Sequence, residues 1–361
     1  MGALSGPPRR HEIETEIGSL NKHKAPGANG LRAEIFQAGG RIIANRLNDD
    51  YKAIWPSIEG VSASESVKAK VFQSWQDADV ITLFKKGSRI DPNNYRGIFL
   101  LDVAGKILAA VVERSIRLAA APWLGDSQNG FRERRSTSHS IHILRRLQEA
   151  VCSANLKTYA VFIDFEKVFD SPPRAALYEC LEWIGLPKDL LSIVMAIHED
   201  PKGKLSGSNV WFRIARGIRQ GCVQGPTLFS ILLEFVKRQA NLTDLGIKFK
   251  CAEKKQMSLP LDLLGVTFRV GTGEYADDMY ALDTSPVRLS EAVNRLYQTS
   301  GKIGLKISVK KTKWLYLHNS DSNELGRCNS KRNPAEHCCE QILLDGKPLK
   351  HVSSFNYLGS T

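Results

Sequence analysis

EYADDMYAL, residues 274–282, sets two adjacent carboxylates, Asp277 and Asp278, in a turn between apolar stretches. Neighbouring carboxylates repel each other, and partial burial raises the cost of ionising both. A bound divalent cation reverses that balance. Upstream, TYAVFIDF at 158–165 is a run of β-branched and aromatic residues ending in charge, as a buried strand does on reaching a cleft, and it delivers Asp164. Three carboxylates from two neighbouring strands could hold two magnesium ions about 4 Å apart, the arrangement for in-line phosphoryl transfer. One ion would lower the pKa of an attacking 3′-hydroxyl, and the other would stabilise the pyrophosphate leaving group. Taken alone, an Asp-Asp pair is more often an exposed turn, because short motifs match by chance.

The surrounding pattern is α+β. A helix is predicted over residues 12–21, and apolar Ile35, Ile42, Ile43 and Leu47 predict another. The polar stretch Glu59–Ser66 reads as loop. Alternation at Val80, Thr82 and Phe84 predicts a strand with a turn at Lys86-Gly87. Long helices follow over Val103–Ala121 and Ser136–Ala154. Pro172 and Pro173 start a helix at Arg174–Trp183, stopped by Gly185 and Pro187. Ser285-Pro286 reads as an N-cap and N1 pair, opening a helix with Leu289, Val293, Leu296 and Tyr297 on one face. Leu305, Ile307 and Val309 alternate as a further strand, and FNYLG at 355–359 is strand-like.

Composition narrows the partners. Of 361 residues 42% are hydrophobic, enough for a sizeable core and against wholesale disorder. Lys and Arg number 50 against 38 Asp and Glu, and the +12 balance favours polyanions, with nucleic acid ahead of an anionic membrane surface. The most apolar stretch, 98–124, is interrupted by Asp102, Lys106, Glu113, Arg114 and Arg117, so it predicts no membrane span. MGALSG has Gly6 where a myristoylation signal needs Ser or Thr, and it lacks a signal-peptide layout. Seven cysteines show no C-x-x-C spacing, and His337-Cys338-Cys339 is too compressed for a zinc site. The expectation is a reduced, intracellular protein without structural metal.

Several blocks follow one another in a familiar order. VFIDFEKVFD (161–170), GIRQGCVQGPTLF (217–229), YADD (275–278), GLKISVKKTK (304–313) and FNYLG (355–359) resemble the successive palm motifs of reverse transcriptases, specifically those of non-LTR (LINE-type) retrotransposons. KAPGANG (24–30), ITLFKKG (81–87), NYRGIFLL (94–101) and QNGFRERRST (128–137) resemble that family's finger segments. Each block is weak alone; nine in the right order argue against chance.

The resemblance implies a right-hand polymerase with fingers near residues 1–155 and a palm near 156–361, the palm an antiparallel sheet packed with helices and the thumb missing. It implies RNA-directed DNA synthesis on an RNA template, with a DNA primer, deoxynucleotides and two magnesium ions, manganese being the substitute. Asp164, Asp277 and Asp278 would be the catalytic metal-binding aspartates. Lys311 matches a lysine proposed to protonate the pyrophosphate. Phe169 occupies the position of the aromatic steric gate against a 2′-hydroxyl. Gln220 and Gly221 would line the nucleotide and template side, and Lys85 and Arg96 match positions that contact the triphosphate. Arg132 would meet template phosphates, and Tyr357 and Gly359 belong to the primer-grip block. No protein partner is implied.

Each residue has a plainer reading. A lone Phe is usually core, a Lys-Lys pair is usually a solvated hairpin tip, Gln220 between glycines suits a turn, and Arg132, Arg134 and Arg135 would serve to cap a loop. Lys302, Lys306, Lys310, Lys311 and Lys313 form a cationic stretch that suits phosphate tracking. The chain departs from the family pattern at Asn29 (commonly Asp), Val168 (commonly Ala) and Gln224-Gly225 (commonly Leu-Ser). None of these removes a metal ligand. The rival readings are a catalytically inactive nucleic-acid binder, a decayed copy that folds poorly, and an RNA-directed RNA polymerase. Phe169 and Ala276 disfavour the last.

Overall fold

A computed structural model of the chain describes residues 5–55, 73–250, 267–317 and 341–360. The segments predicted as loop at Glu59–Ser66 and as a non-zinc sequence at His337–Cys339 lie outside these residues. Contacts divide the chain into two compact units, one from residues 1–124 and 169–232, the other from 125–168 and 233–361. This differs from a single cut at 155/156, for two reasons. The helix Thr137–Ser153 buries Leu147 and Val151 against Ala160 and Phe162 of the strand Thr158–Ile163, which draws residues 125–155 into the second unit. The strand Lys202–Leu205 pairs with Ala78–Phe84, which draws 169–232 into the first.

The first unit holds a four-stranded sheet in the order Tyr95–Leu100, Ala78–Phe84, Lys202–Leu205, Trp211–Arg213. The outer pairings are antiparallel and the central one is parallel. Its helix Val103–Ala120 buries Ile107, Leu108, Val111, Val112 and Ile116, a stripe at helical spacing. The helix Ala33–Ile54 follows its predicted position, with Leu47 buried and Ile43 half-buried but only part of the predicted face inward. Ile35 and Ile42 are exposed, while Phe36, Ala44, Leu47, Tyr51 and Ile54 are buried. Gly40 leaves the helical path at φ 47°, ψ −122°, a kink, yet Phe36 and Leu47 stay on one buried face across it while Ile35 and Ile42, seven residues apart, share an exposed flank.

The second unit carries a five-stranded sheet in the order Lys350–His351, Lys313–Leu317, Thr158–Ile163, Asp278–Asp283, Thr272–Tyr275. Its central strand is buried at every residue, as its uninterrupted apolar sequence requires. Ala160 and Phe162 join Tyr280 and Leu282 in one core with Leu147 and Val151. Tyr159, Val161 and Ile163 alternate to the other face. The helix Pro286–Lys302 packs on the same two strands, burying Leu289, Val293 and Leu296. Ser285 caps it as its sequence predicts, accepting the Arg288 backbone N–H, with Pro286 at the first turn. Tyr297 instead stays half-exposed and donates its hydroxyl to Asp345.

Two predicted strands are corrected. Between Leu305 and Val309 only Lys306–Ile307 is a strand, because the Ser308 N–H donates to the Asp164 carbonyl and the Lys311 and Thr312 N–H groups then fold back onto the Ser308 carbonyl. FNYLG is a tight turn. Leu358 and Gly359 take φ 51° and 83°, and Tyr357 and Ser360 exchange backbone hydrogen bonds at 2.7 and 2.9 Å. Among the described residues no helix is long and apolar enough to cross a membrane, and Cys152, Cys180 and Cys222 are free thiols.

Candidate active site

The register of the second unit's sheet assembles an acidic cluster. Met279 pairs with Ile163 across antiparallel strands, so continuing one residue sets Asp278 opposite Asp164. On the other side Lys313 pairs with Phe162, and the turn that precedes this strand brings the Lys311 side chain to Asp164. Directly opposed residues on adjacent strands have Cβ atoms about 5 Å apart. Asp164 is thus flanked by a carboxylate on one neighbour and an ammonium on the other, and the Lys311 Nζ lies 3.3 Å from its Oδ1.

Local hydrogen bonds fix this end of the sheet. The Asp164 N–H donates to the Thr312 Oγ1 at 3.3 Å, and its carbonyl accepts the Ser308 N–H at 2.8 Å. Thr312 and Ser308 are buried. The aspartate pair sits at the apex of a hairpin in which Tyr275 pairs with Asp278, leaving Ala276 and Asp277 as a two-residue connection. Ala276 takes φ 57°, a left-handed conformation that costs an L-residue roughly 1–2 kcal/mol.

The electrostatics follow. Burial, then the charges of Asp277 and Asp164, push the Asp278 carboxyl up to about 6. The three carboxylates therefore act on one another, as two like charges sharing a site do. Their geometry is looser than expected. Among the described residues no three His, Cys, Asp or Glu side chains converge closely enough to hold a metal ion, and the Asp164 carboxylate is paired with Lys311 instead. The donor chemistry itself suits a hard divalent cation: three carboxylates, one of them kept hard to ionise by partial burial and then by its neighbours.

The other sequence candidates fall as follows. In the first unit, Lys85 follows the strand Ala78–Phe84 and donates its N–H to the Asn94 carbonyl, while Arg96 pairs with Leu83. Alternation puts Lys85 and Arg96 on one face of this hairpin, and both are exposed. Phe169 is half-buried against Phe229, ring centroids 5.7 Å apart, and its carbonyl accepts the Ile218 N–H. Gln220 accepts the Phe99 N–H on its carbonyl and donates its side-chain amide to Asp170 at 3.3 Å. Gly221 has φ 110°, and a Cβ there would lie 2.8 Å from the Phe99 carbonyl oxygen. Under this loop, Arg219 is buried and donates to the carbonyls of Gln76 and Ile197, beside His198, whose pKa burial lowers to about 3.

Two further candidates, in the second unit, make internal contacts. Arg132 donates to the Gly125 carbonyl at 2.7 Å, so its guanidinium caps its own loop. Tyr357 is buried and packs edge-on to Tyr280 with centroids 5.6 Å apart, and burial raises its hydroxyl pKa. Its ring is core, which leaves the exposed Gly359 and the turn backbone facing solvent. Sequence reasoning missed Thr312 and Ser308, which hold Asp164, and Gln128, which touches the aspartate turn. Only the strand register, unavailable from spacing, brings these to the site.

Residues 84–361 match the reverse transcriptase (RNA-dependent DNA polymerase) family. That is most of the chain, and the chain belongs to this family. It is a reverse transcriptase domain of the non-LTR retrotransposon type. It is 27% identical to the putative 115 kDa protein in type-1 retrotransposable element R1DM of Drosophila melanogaster, over 62% of this chain and 21% of that protein. The RNA-directed DNA polymerase from mobile element jockey of Drosophila funebris is 26% identical over 99% of this chain and 35% of its own length. A Pol polyprotein from type-1 retrotransposable element R2 of Nasonia vitripennis is 22% identical over 67% of this chain and 22% of its own. The chain thus spans about a fifth to a third of these relatives.

Proposed function

We propose that this chain extends a DNA primer on an RNA template, transferring a nucleotidyl group from a deoxynucleoside triphosphate to the primer 3′-hydroxyl. The observation that supports the reading is the strand register that sets Asp278 opposite Asp164, with the Lys311 ammonium 3.3 Å from the Asp164 carboxylate, in a chain of the reverse transcriptase family. Asp164, Asp277 and Asp278 would hold divalent cations, magnesium first and two in number, which supply Lewis-acid activation of the hydroxyl and charge neutralisation at the leaving group. Lys311, carried against Asp164 by the 308–312 turn, holds a proton within reach of the same carboxylate and would pass it to the departing pyrophosphate. In the fingers-and-palm reading, Lys85 and Arg96 would take the triphosphate as a cationic pair on one hairpin face. Phe169, backed by Phe229, would crowd the incoming sugar, with Gln220 and Gly221 beside it.

An inactive nucleic-acid binder is the second reading. It is favoured by the looser arrangement of the carboxylates, no three of which, among the described residues, converge closely enough to hold a metal ion. Primer extension with purified protein on an RNA template, with and without Mg²⁺, separates the two. The polymerase reading predicts Mg²⁺-dependent products and an affinity for primer–template that falls steeply with salt. The binder keeps the salt dependence and gives no products.

A further inference from the structure

We propose, on the polymerase reading above, that Gln128 is a positioning residue for the Asp277–Asp278 pair, acting through the backbone of Ala276. The strained conformation of Ala276 needs a reason to persist, since alanine gains nothing from positive φ. Residues 127–130 run alongside the hairpin as a short parallel bridge. The Glu274 N–H donates to the Ser127 carbonyl at 2.9 Å, and the Asn129 N–H donates to the Glu274 carbonyl at 2.8 Å. Gln128 between them is 2% exposed. Its Oε1 accepts the Gly130 N–H at 2.8 Å and the Ala276 N–H at 3.3 Å. One side-chain oxygen therefore holds the segment and the aspartate turn together.

Two further features make this a fitted contact. A Cβ at Gly130 would stand 2.2 Å from the Ala276 nitrogen, so only glycine lets the segment lie against the turn. Behind it, the buried Lys237 ammonium donates to the Ser127 Oγ at 2.9 Å and to Glu234 and Glu274 at 3.0 Å each. This network ties the bracing segment to the strand that leads into the turn. Gln128 supplies an acceptor without adding a further negative charge to the cluster of Asp164, Asp277 and Asp278.

The test uses Gln128→Met, which removes the acceptor at similar volume, and Gln128→Asn, which withdraws it by one methylene. Amide hydrogen exchange is read at Ala276 and at Tyr280 and Leu282 further along the same strand. The brace predicts about tenfold faster exchange at Ala276, the equivalent of one net hydrogen bond, with Tyr280 and Leu282 unchanged. Primer extension should lose roughly 10–100-fold in kcat, as small misplacements of reacting groups do. KM for nucleotide and for primer–template should stay within about twofold of wild type, because no binding contact is removed. Unchanged exchange at Ala276 in a folded variant would overturn the proposal. So would a uniform loss of protection along the hairpin with kcat and KM falling together, which marks a merely structural residue. Should the Met variant fail to fold, the Asn variant decides on the same readouts. If the wild-type protein makes no product, the polymerase reading fails while the exchange result still decides whether Gln128 holds the turn.

Discussion

Replacing Gly221 with alanine tests the loop that carries Gln220 without touching any charged group. At φ 110° the backbone occupies a region that side chains rarely enter, costing about 1–3 kcal/mol. The new Cβ would also stand 2.8 Å from the Phe99 carbonyl oxygen, and backbone cannot yield as a flexible side chain does. Relief means pulling the loop from the strand Tyr95–Leu100, which lengthens the 2.9 Å bond from the Phe99 N–H to the Gln220 carbonyl. Overpacking of this kind adds about 1–3 kcal/mol. The sum, roughly 2–6 kcal/mol, is a large share of a typical domain's stability and should lower the melting temperature by on the order of 10 °C. Gly225→Ala is the built-in control. Gly225 has no positive φ, and a Cβ there meets the Ile218 Cγ2 at 3.3 Å and the Phe169 ring at 3.9 Å, so its effect should stay within about 1 kcal/mol. Urea denaturation of the two variants beside wild type reads both numbers. A Gly221→Ala protein as stable as wild type, or one no less stable than Gly225→Ala, would refute this account of the loop.

Other expectations follow from the site and its surroundings. The Asp278 pKa is raised from 3.8 to about 6, so the folded protein loses stability as pH rises through that window and stays penalised above it. Asp278→Asn should therefore melt higher than wild type at pH 7.5, the gap closing towards pH 4, and added Mg²⁺ should raise the wild-type melting temperature more than the variant's. His198 is held neutral with its pKa lowered from 6.5 to about 3, so it withdraws stability as pH falls from 6.5 towards 3. Melting curves of His198→Leu across that range should show a flatter acid limb, and an unaltered limb would remove His198 from the explanation. Phe169→Ala should raise ribonucleotide over deoxynucleotide incorporation well beyond the roughly 10–200-fold that one methylene of contact provides. An unchanged ratio with a lower melting temperature would make the ring core.

Much of the second unit was legible because its signals are local. TYAVFIDF has no polar interruption before Asp164 and forms the buried central strand, and Ser285-Pro286 caps the helix that follows the aspartate hairpin. What stayed illegible depends on partners distant in sequence. Leu305–Val309 alternates like a strand, yet Ser308 spends its N–H on Asp164, 144 positions earlier, and the chain turns there. FNYLG carries strand-forming aromatics, yet Leu358 accepts a left-handed conformation because Tyr357 and Phe355 are anchored on Phe162. Helical counting failed at Ile35 and Ile42 because these two isoleucines share one solvent-facing flank, while Phe36, Leu47 and Tyr51 carry the buried face. The three aspartates were singled out by their apolar strand ends and by motif order, whereas the buried groups around them, Thr312, Ser308 and Gln128, carry no local mark of such a place.

The central claim is that Asp164, Asp277 and Asp278 work as one centre for nucleotidyl transfer. Its most direct test is single-turnover primer extension on an RNA template with Mg²⁺, for wild type, Asp164→Asn and Asp277→Asn, with primer–template affinity measured on the same preparations. The account predicts extension by the wild-type protein, none by either variant, and affinities equal to or tighter than wild type as negative charge is removed near the phosphates. Extension by either variant at the wild-type rate would contradict it.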